Sequence, residues 1–294
     1  MKKNGPTFYS IRKDKGISQK EVYMGVVSRS FYQKFEKGEY TTSTETFEKL
    51  LERINLTYDE FFYIKNDRQL VPYDQYLVTI FEAYQNEDSN ILDKIQNQLR
   101  FSNLQKEVFL SKIALLLQNN LLNKKMNSSD FDFICIYLNK IQNWTFFEAK
   151  LFNNIMSLLP FKERNIYFKK YRSFSRSNAD LGIINAEFSN WHSYIYLNHI
   201  QLLLFEGNYE EAIITLKEMK NDKERYFTNE RNELAFLFLT QLVDLYNQEK
   251  RENALNKLNE VLELVYLLNK TNGSFYSRIK QIHEKRSKLY FINY

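Results

Sequence analysis

The chain has 294 residues, of which 44% are hydrophobic and 26% are charged, with only 7 glycines and 3 prolines. This composition excludes a disordered chain, and the scarcity of turn-forming residues predicts an all-α protein, with about two domains at this length. No apolar run approaches the roughly 20 residues that cross a bilayer, and the opening residues lack the apolar segment of a secretory signal. We therefore expect a cytoplasmic protein without membrane association.

The formal net charge of +5 is unevenly distributed. Residues 1–40, here called the head segment, contain nine Lys or Arg residues and four Asp or Glu residues. The rest of the chain carries equal numbers of basic and acidic residues. A positive segment on a neutral body predicts contact with a polyanion.

Capping residues and glycines predict five short helices at the start of the chain. The predicted N-caps are Thr7, Ser18, Ser28, Ser43 or Thr44, and Thr57. Glu21 lies three residues after Ser18, which is the spacing of a capping box. The predicted stop signals of the first three helices are Gly16, Gly25 and Gly38. Two short helices joined by a glycine-containing turn indicate a helix-turn-helix.

The third helix is the candidate recognition helix, because recognition helices present their N-terminal residues to base edges in the major groove. We expect Phe31 and Phe35 to face inward. Arg29 can pair with guanine and Gln33 with adenine. The candidate groove residues are Arg29, Ser30, Gln33 and Lys34. The candidate phosphate contacts are Arg12, Gln19, Lys37 and Tyr40. The alternative is a charged helical surface that does not bind DNA.

Two strings carry a family resemblance. The segment Ser18-Gln19-Lys20-Glu21-Val22, followed by the segment from Ser28 to Glu39 (SRSFYQKFEKGE), resembles the XRE-type (Cro/CI-like) helix-turn-helix. More narrowly, it is similar to the Rgg/GadR/MutR transcriptional regulators. The resemblance implies that Gln19 contacts phosphate and that Arg29, Ser30 and Lys34 lie at the groove.

The rest of the chain predicts a tetratricopeptide-like helical solenoid, because long apolar-periodic helices alternate with polar breaks. The string from Gly207 to Ala212 (GNYEEA) resembles the start of the second helix of a tetratricopeptide repeat, and an alanine recurs at Ala254. The predicted domains are a helix-turn-helix domain over residues 1–66, a linker over 67–73 and a repeat domain over 74–294.

Polar side chains at helical spacing mark candidate ligand contacts in this repeat domain. If the first helix of each pair lines a concave groove, amide and hydroxyl groups converge there and can bond to a peptide backbone. The candidate peptide-binding residues are Lys150, Asn153, Asn154, Asn190, Tyr194, Asn198, Arg231 and Asn232. The alternative is an ordinary solvated face rich in asparagine.

The family resemblance adds expectations for this domain. It implies a repeat domain that binds short signalling peptides, and Asn153 in its Leu-Phe-Asn context resembles an asparagine that holds the peptide backbone. Some relatives form dimers through a disulfide after the helix-turn-helix. Ser43, Thr44 and Glu45 occupy that region here, so no disulfide is expected.

We expect neither an enzyme nor a bound cofactor or metal. His192 and His199 are seven residues apart but lack a third ligand at metal spacing, and we expect the histidines to be surface or groove residues. No nucleophile–base arrangement or glycine-rich phosphate loop occurs.

These patterns predict a homodimeric transcription regulator that binds a double-stranded DNA operator and is controlled by a short signalling peptide, as in quorum sensing. One alternative keeps the DNA-binding domain but makes the repeat domain only a dimerisation or protein-interaction scaffold. Another is an adaptor whose helix-turn-helix no longer binds DNA.

Overall fold

The computed structural model describes residues 3–69, 71–124, 126, 128–181, 186–226 and 230–293. These residues form sixteen α-helices and no strand, which confirms the predicted all-α class. Residues 1–125 form one compact unit and residues 126–294 form a second. The predicted linker at 67–73 falls inside the first unit, where Asp67 and Arg68 take positive φ values between two helices.

Five short helices open the first unit. They are α1 (Asn4–Asp14), α2 (Gln19–Tyr23), α3 (Arg29–Glu36), α4 (Thr44–Arg53) and α5 (Tyr58–Lys65). Their shared core is aromatic at its centre, with Phe8, Phe35, Phe47 and Phe61 almost completely buried. Neighbouring rings meet edge to face, as Phe47 and Phe61 do with centroids 4.9 Å apart.

The predicted caps of α2 to α5 are present. Ser18 and Glu21 form the reciprocal capping box of α2, and Ser28 accepts a hydrogen bond from the backbone N–H of Phe31 at the start of α3. Ser43 and Thr57 cap the next two helices in the same way. The turns that end α1 to α3 contain Gly16, Gly25 and Gly38, all with positive φ.

Two local predictions for this domain were wrong. The first helix begins at Asn4 instead of after Thr7, because the chain is already helical where Gly5 packs against α3. A side chain at Gly5 would place its Cβ 1.6 Å from the carbonyl oxygen of Phe35. On α3, Tyr32 occupies the core and Phe31 is only partly buried.

Three more helices complete the first unit: α6 (Pro72–Gln85), α7 (Ser89–Leu99) and α8 (Gln105–Leu121). Pro72 starts α6 at a position where a missing backbone N–H has no cost. Each of the three helices packs against the other two, with Leu92 and Leu110 fully buried.

The second unit begins with α9 (Ser128–Lys140), α10 (Phe146–Ile155), a short 3₁₀ turn (Met156–Leu158) and α11 (Phe161–Ser177). It continues with α12 (Ala186–Glu206), α13 (Tyr209–Tyr226), α14 (Glu230–Asp244), α15 (Arg251–Leu268) and α16 (Lys270–Asn293). Helix α12 packs against α10, α13, α14 and α16 and is the centre of the unit. Ala212 and Ala254 are buried, as expected of close helix approaches in paired repeats.

All three histidines are buried, so the expectation of surface or groove histidines was wrong. His192 Nδ1 lies 2.7 Å from the Tyr171 hydroxyl, and His283 Nδ1 lies 2.7 Å from the Tyr246 hydroxyl. His199 stacks on the Phe168 ring. Burial lowers the pKa of His192 and His199 to about 3 and that of His283 to about 4.

Candidate functional site

The N-terminal part of α3 forms an exposed polar surface on the first unit. Ser28 fixes the start of the helix, and Tyr32 and Phe35 anchor its opposite face in the core. Arg29 and Ser30 are exposed as a result. One turn further on, Gln33 is half-buried and Lys34 exposed. The structure thus brings the four predicted groove residues onto the surface of a single eight-residue helix.

A buried carboxylate, that of Glu36, ties α1, α2 and α3 together. Arg12 Nε donates to Glu36 Oε1 at 2.6 Å, and Tyr32 donates to the same oxygen at 2.8 Å. Gln19 Nε2 donates to Glu36 Oε2 at 2.6 Å. Residue Arg12 is only 3% exposed, and the hydrogen bond to Glu36 raises the pKa of its guanidinium.

This burial corrects the predicted role of Arg12. Its guanidinium also donates to the carbonyl oxygen of Ile17, so the group is enclosed by protein acceptors and cannot reach a DNA phosphate in this arrangement. A count of basic residues in the head segment cannot separate such an internal ion pair from a surface charge.

Three other predicted contacts surround one surface depression. Gln19, Gln33 and Lys37 line a cavity of about 590 Å³. Pro6, Tyr9 and Glu36 line the same cavity. Tyr9 was missed from the sequence, although it lies three residues before Arg12 on the same helix face.

Lys34 and Tyr40 form a pair on this surface. Lys34 Nζ lies 4.8 Å from the centroid of the Tyr40 ring and donates to its hydroxyl at 3.2 Å. The Tyr40 ring also packs against Phe31, with centroids 5.6 Å apart. Phe31, which the sequence placed in the core, instead supports the ring that positions Lys34.

In the second unit, a polar strip runs along α10 and α12, formed by Lys150, Asn153, Asn190, Tyr194, Asn198 and Gln201. Asn198 Nδ2 donates to Asn153 Oδ1 at 3.0 Å, and Gln201 Nε2 donates to Asn198 Oδ1 at 3.1 Å. Lys150 lies over the rings of Phe146 and Trp191. All six strip residues are partly exposed. Gln201 was not among the predicted contacts, although it continues the Asn198 stripe.

Two predicted peptide contacts, Asn154 and Asn232, do not join this strip. Asn154 is only 6% exposed and faces the interior. Asn232 is fully buried and donates to Ser189 on α12 at 2.8 Å. Neither amide reaches a ligand on the surface, because one residue along a helix rotates the side chain by about 100°. The side chain of Arg231 lies outside the described residues.

A cavity of about 270 Å³ lies between α12, α14 and the junction of α15 with α16. We call it the α12–α16 cavity. Its lining residues are Ser193, Tyr194, Glu230, Leu234, Val265, Leu268, Asn269, Asn272 and Tyr276. Only Tyr194 was predicted, and all the others except Ser193 lie on α14 to α16 or their junction, whose packing against α12 the sequence does not specify.

Two negative findings apply to the described part of the chain. None of its helices has the length and apolar character needed to cross a bilayer. Within the same ranges, no three His, Cys, Asp or Glu residues are arranged to hold a metal ion.

Comparison with known proteins adds the family. No curated protein matches the sequence. The fold is similar to that of a candidate transcriptional regulator from Listeria monocytogenes EGD-e, with a TM-score of 0.84 at 19% identity over 97% of this chain and 98% of the other. The fold is also similar to that of the SHP pheromone receptor Rgg2 from Streptococcus dysgalactiae, with a TM-score of 0.76 at 15% identity over 97% of this chain and 100% of the other. For the PrgX/cCF10 complex the TM-score is 0.72 at 15% identity over 97% of this chain and 99% of the other.

Two family matches cover most of the chain. Residues 8–61 match the helix-turn-helix family. Residues 88–279 match the family described as the C-terminal domain of the HTH-type transcriptional regulator Rgg, which is well over half of the chain. The order of the two matches agrees with the five-helix domain and the helices that follow it. The chain therefore belongs to the Rgg family of helix-turn-helix transcriptional regulators.

Proposed function

We propose that this protein binds a specific double-stranded DNA operator as a homodimer, and that a short signalling peptide bound to its repeat domain controls the binding. The observation that carries the DNA-binding part is the exposed N-terminal half of α3, where Arg29 and Ser30 face solvent at the start of a capped helix. Recognition helices contact base edges with these positions.

The surroundings of α3 support phosphate contacts on either side. Gln19 is the first residue of α2 and lines the same surface depression as Gln33 and Lys37. Lys37 and Tyr40 are exposed just beyond the C-terminal end of α3. In a dimer, two such domains would occupy half-sites about 34 Å apart.

The polar strip supports peptide binding. Partly exposed amides on adjacent helices offer donors and acceptors to a peptide backbone. Two proteins of similar fold point the same way, since one is described as a pheromone receptor and the other as a complex with cCF10. A peptide would shift the DNA-binding population through its different affinity for two conformations.

A second candidate is a repeat domain that serves only as a dimerisation scaffold. The hydrogen bonds from Asn198 to Asn153 and from Gln201 to Asn198 favour it, because the strip amides partly satisfy one another without a ligand. The two candidates share the DNA-binding domain and differ only in the ligand.

DNA binding is tested by incubating the purified full-length protein with genomic fragments of its own species and sequencing those it retains. We expect enrichment of a sequence with two half-sites, and an affinity that falls steeply with salt as phosphate contacts release counterions. Retention without sequence enrichment, or binding insensitive to salt, would remove the proposal.

The peptide part is tested separately by calorimetry with synthetic peptides encoded beside the gene. Heat of binding together with a change in operator affinity supports peptide control. Flat titrations with every peptide would favour the scaffold.

A further inference from the structure

One residue that lines the α12–α16 cavity carries a buried hydroxyl that lacks a partner. Ser193 lines the cavity, is only 1% exposed, and its Oγ has no hydrogen-bond partner among the described residues. Leaving a buried polar group unpaired is unfavourable. A ligand donor entering the cavity would satisfy it.

The charge of the lining residues determines whether the cavity favours a positively or a negatively charged ligand. Glu230, at the start of α14, is the one ionisable carboxylate or ammonium group among the lining residues, and it is exposed to solvent. The remaining polar side chains are the Ser193 hydroxyl, two amides and two phenols, all of which can accept hydrogen bonds from a cation. The cavity therefore favours a cationic donor over an anion.

The apolar part of the lining determines the size and the apolar character of the group that the cavity can bind. Leu234, Val265 and Tyr276 form an apolar wall, and Leu268 stands 69% exposed at the rim. The cavity volume of about 270 Å³ is near the lower end for ligand sites, roughly 300 Å³. It suits one residue of a peptide better than a whole peptide.

We propose that the α12–α16 cavity binds the amino-terminal residue of the peptide ligand, an apolar residue whose α-ammonium group donates to Glu230 and to Ser193 Oγ. This inference rests on the proposed peptide control and specifies which end of the peptide binds there. The peptide would then continue along the polar strip on α12, because Tyr194 lines the cavity and also belongs to that strip.

The test uses full-length protein and three small probes: L-leucinamide, N-acetyl-L-leucinamide and n-butylamine. L-Leucinamide carries the α-ammonium and an apolar side chain, the acetylated twin lacks the charge, and n-butylamine mimics a lysine side chain. Dissociation constants are measured by saturation-transfer NMR on the ligand. We expect L-leucinamide to bind about ten-fold more tightly than its acetylated twin, which is the scale of a charge-assisted hydrogen bond.

Variants place the binding at this cavity. Glu230→Gln should remove most of the ten-fold preference, and Ser193→Ala should weaken L-leucinamide binding. Glu260→Gln is the matched control, because it removes one exposed carboxylate on α15 that does not line the cavity and should leave binding unchanged.

Three outcomes would overturn the inference: equal binding of L-leucinamide and its acetylated twin, a preference that survives Glu230→Gln, or tighter binding of n-butylamine than of L-leucinamide. The comparison of probes on the unmodified protein does not depend on any variant folding. Failure here would leave calorimetric binding of peptides along the polar strip untouched, so the inference and the proposed function can fail separately.

Discussion

The side-chain amide of Gln19 donates a 2.6 Å hydrogen bond to the carboxylate of Glu36, the group that also holds the buried guanidinium of Arg12. One carboxylate therefore fixes the N-terminus of α2 relative to α1 and α3. Because Gln19 has a second amide hydrogen, the bond can orient the side chain towards a phosphate and still leave a donor for it.

Glu36→Gln should destabilise the first unit strongly. The substitution leaves the Arg12 guanidinium buried with a neutral partner, and breaking one side of a buried ion pair costs about 3–5 kcal/mol. Hydrogen exchange of the full-length protein measures this as faster exchange of amides in α1 to α3. Glu39→Gln, at an exposed position three residues on, is the control and should change little. Equal protection in the two variants would show that the carboxylate has no such role.

Tyr40→Ala should weaken operator binding by about two- to five-fold, the scale of an exposed cation–π contact. The substitution removes the ring over which Lys34 is held, so the ammonium loses its fixed position. Tyr40→Phe keeps the ring and its contact with Phe31 and should lose less. Fluorescence anisotropy with an operator duplex compares the three proteins. The pairing would have no importance for DNA binding if Tyr40→Ala bound as tightly as the unmodified protein.

The sequence predicts the helix ends well, because capping is local chemistry. Ser18 with Glu21, Ser28 and Thr57 act on backbone groups within three residues, so their roles follow from spacing alone. Contacts between helices that are distant in sequence cannot be predicted in the same way. Gly5 starts α1 early because α3 approaches closely there, and no local pattern announces that contact.

The same distinction explains which side chains have the exposure that the sequence predicts and which do not. Arg29 and Lys34 are exposed as predicted, since helical periodicity turns both side chains away from Phe35. The burial of Arg12 does not follow from local sequence, because its partner Glu36 lies 24 residues away on α3. The burial of Asn232 was not predicted for a similar reason, since its partner Ser189 belongs to another helix.

The buried histidines predict that the second unit loses stability in mild acid. Their pKa values are lowered in the folded protein, to about 3 for His192 and His199 and about 4 for His283, against roughly 6.5 unfolded. The unfolded chain therefore binds more protons, so the stabilisation is complete above pH 6.5 and falls as the pH drops below it. Each histidine makes the free energy of unfolding fall by up to about 1.4 kcal/mol per pH unit as the pH decreases.

Urea unfolding at pH 7.5, 6.5 and 5.5 checks this slope, with fluorescence of Trp144 and Trp191 reporting on the second unit. His199→Phe is the control variant, because it keeps a ring against Phe168 and should reduce the slope by about one third. A free energy of unfolding that stays constant between pH 7.5 and 5.5 would contradict the buried, neutral state of these rings.

Asn198→Ala should weaken peptide binding about ten-fold, because it removes a strip amide and leaves its partner Asn153 without its hydrogen bond. Calorimetry with a peptide that binds the unmodified protein measures the change. Asn143→Ala, at an exposed position after α9, is the matched control and should bind normally. Equal affinities for both variants would move the peptide site away from the polar strip.

The most direct measurement of the central claim compares Arg29→Ala with Lys37→Ala on one operator and on an unrelated duplex, at several salt concentrations. Arg29→Ala should lose about 1–3 kcal/mol on the operator alone, because a base contact carries sequence information. Lys37→Ala should weaken both duplexes alike and lower the salt slope by about one, as a phosphate contact does. Unchanged operator affinity and specificity in Arg29→Ala would contradict the assignment of α3 as the recognition helix.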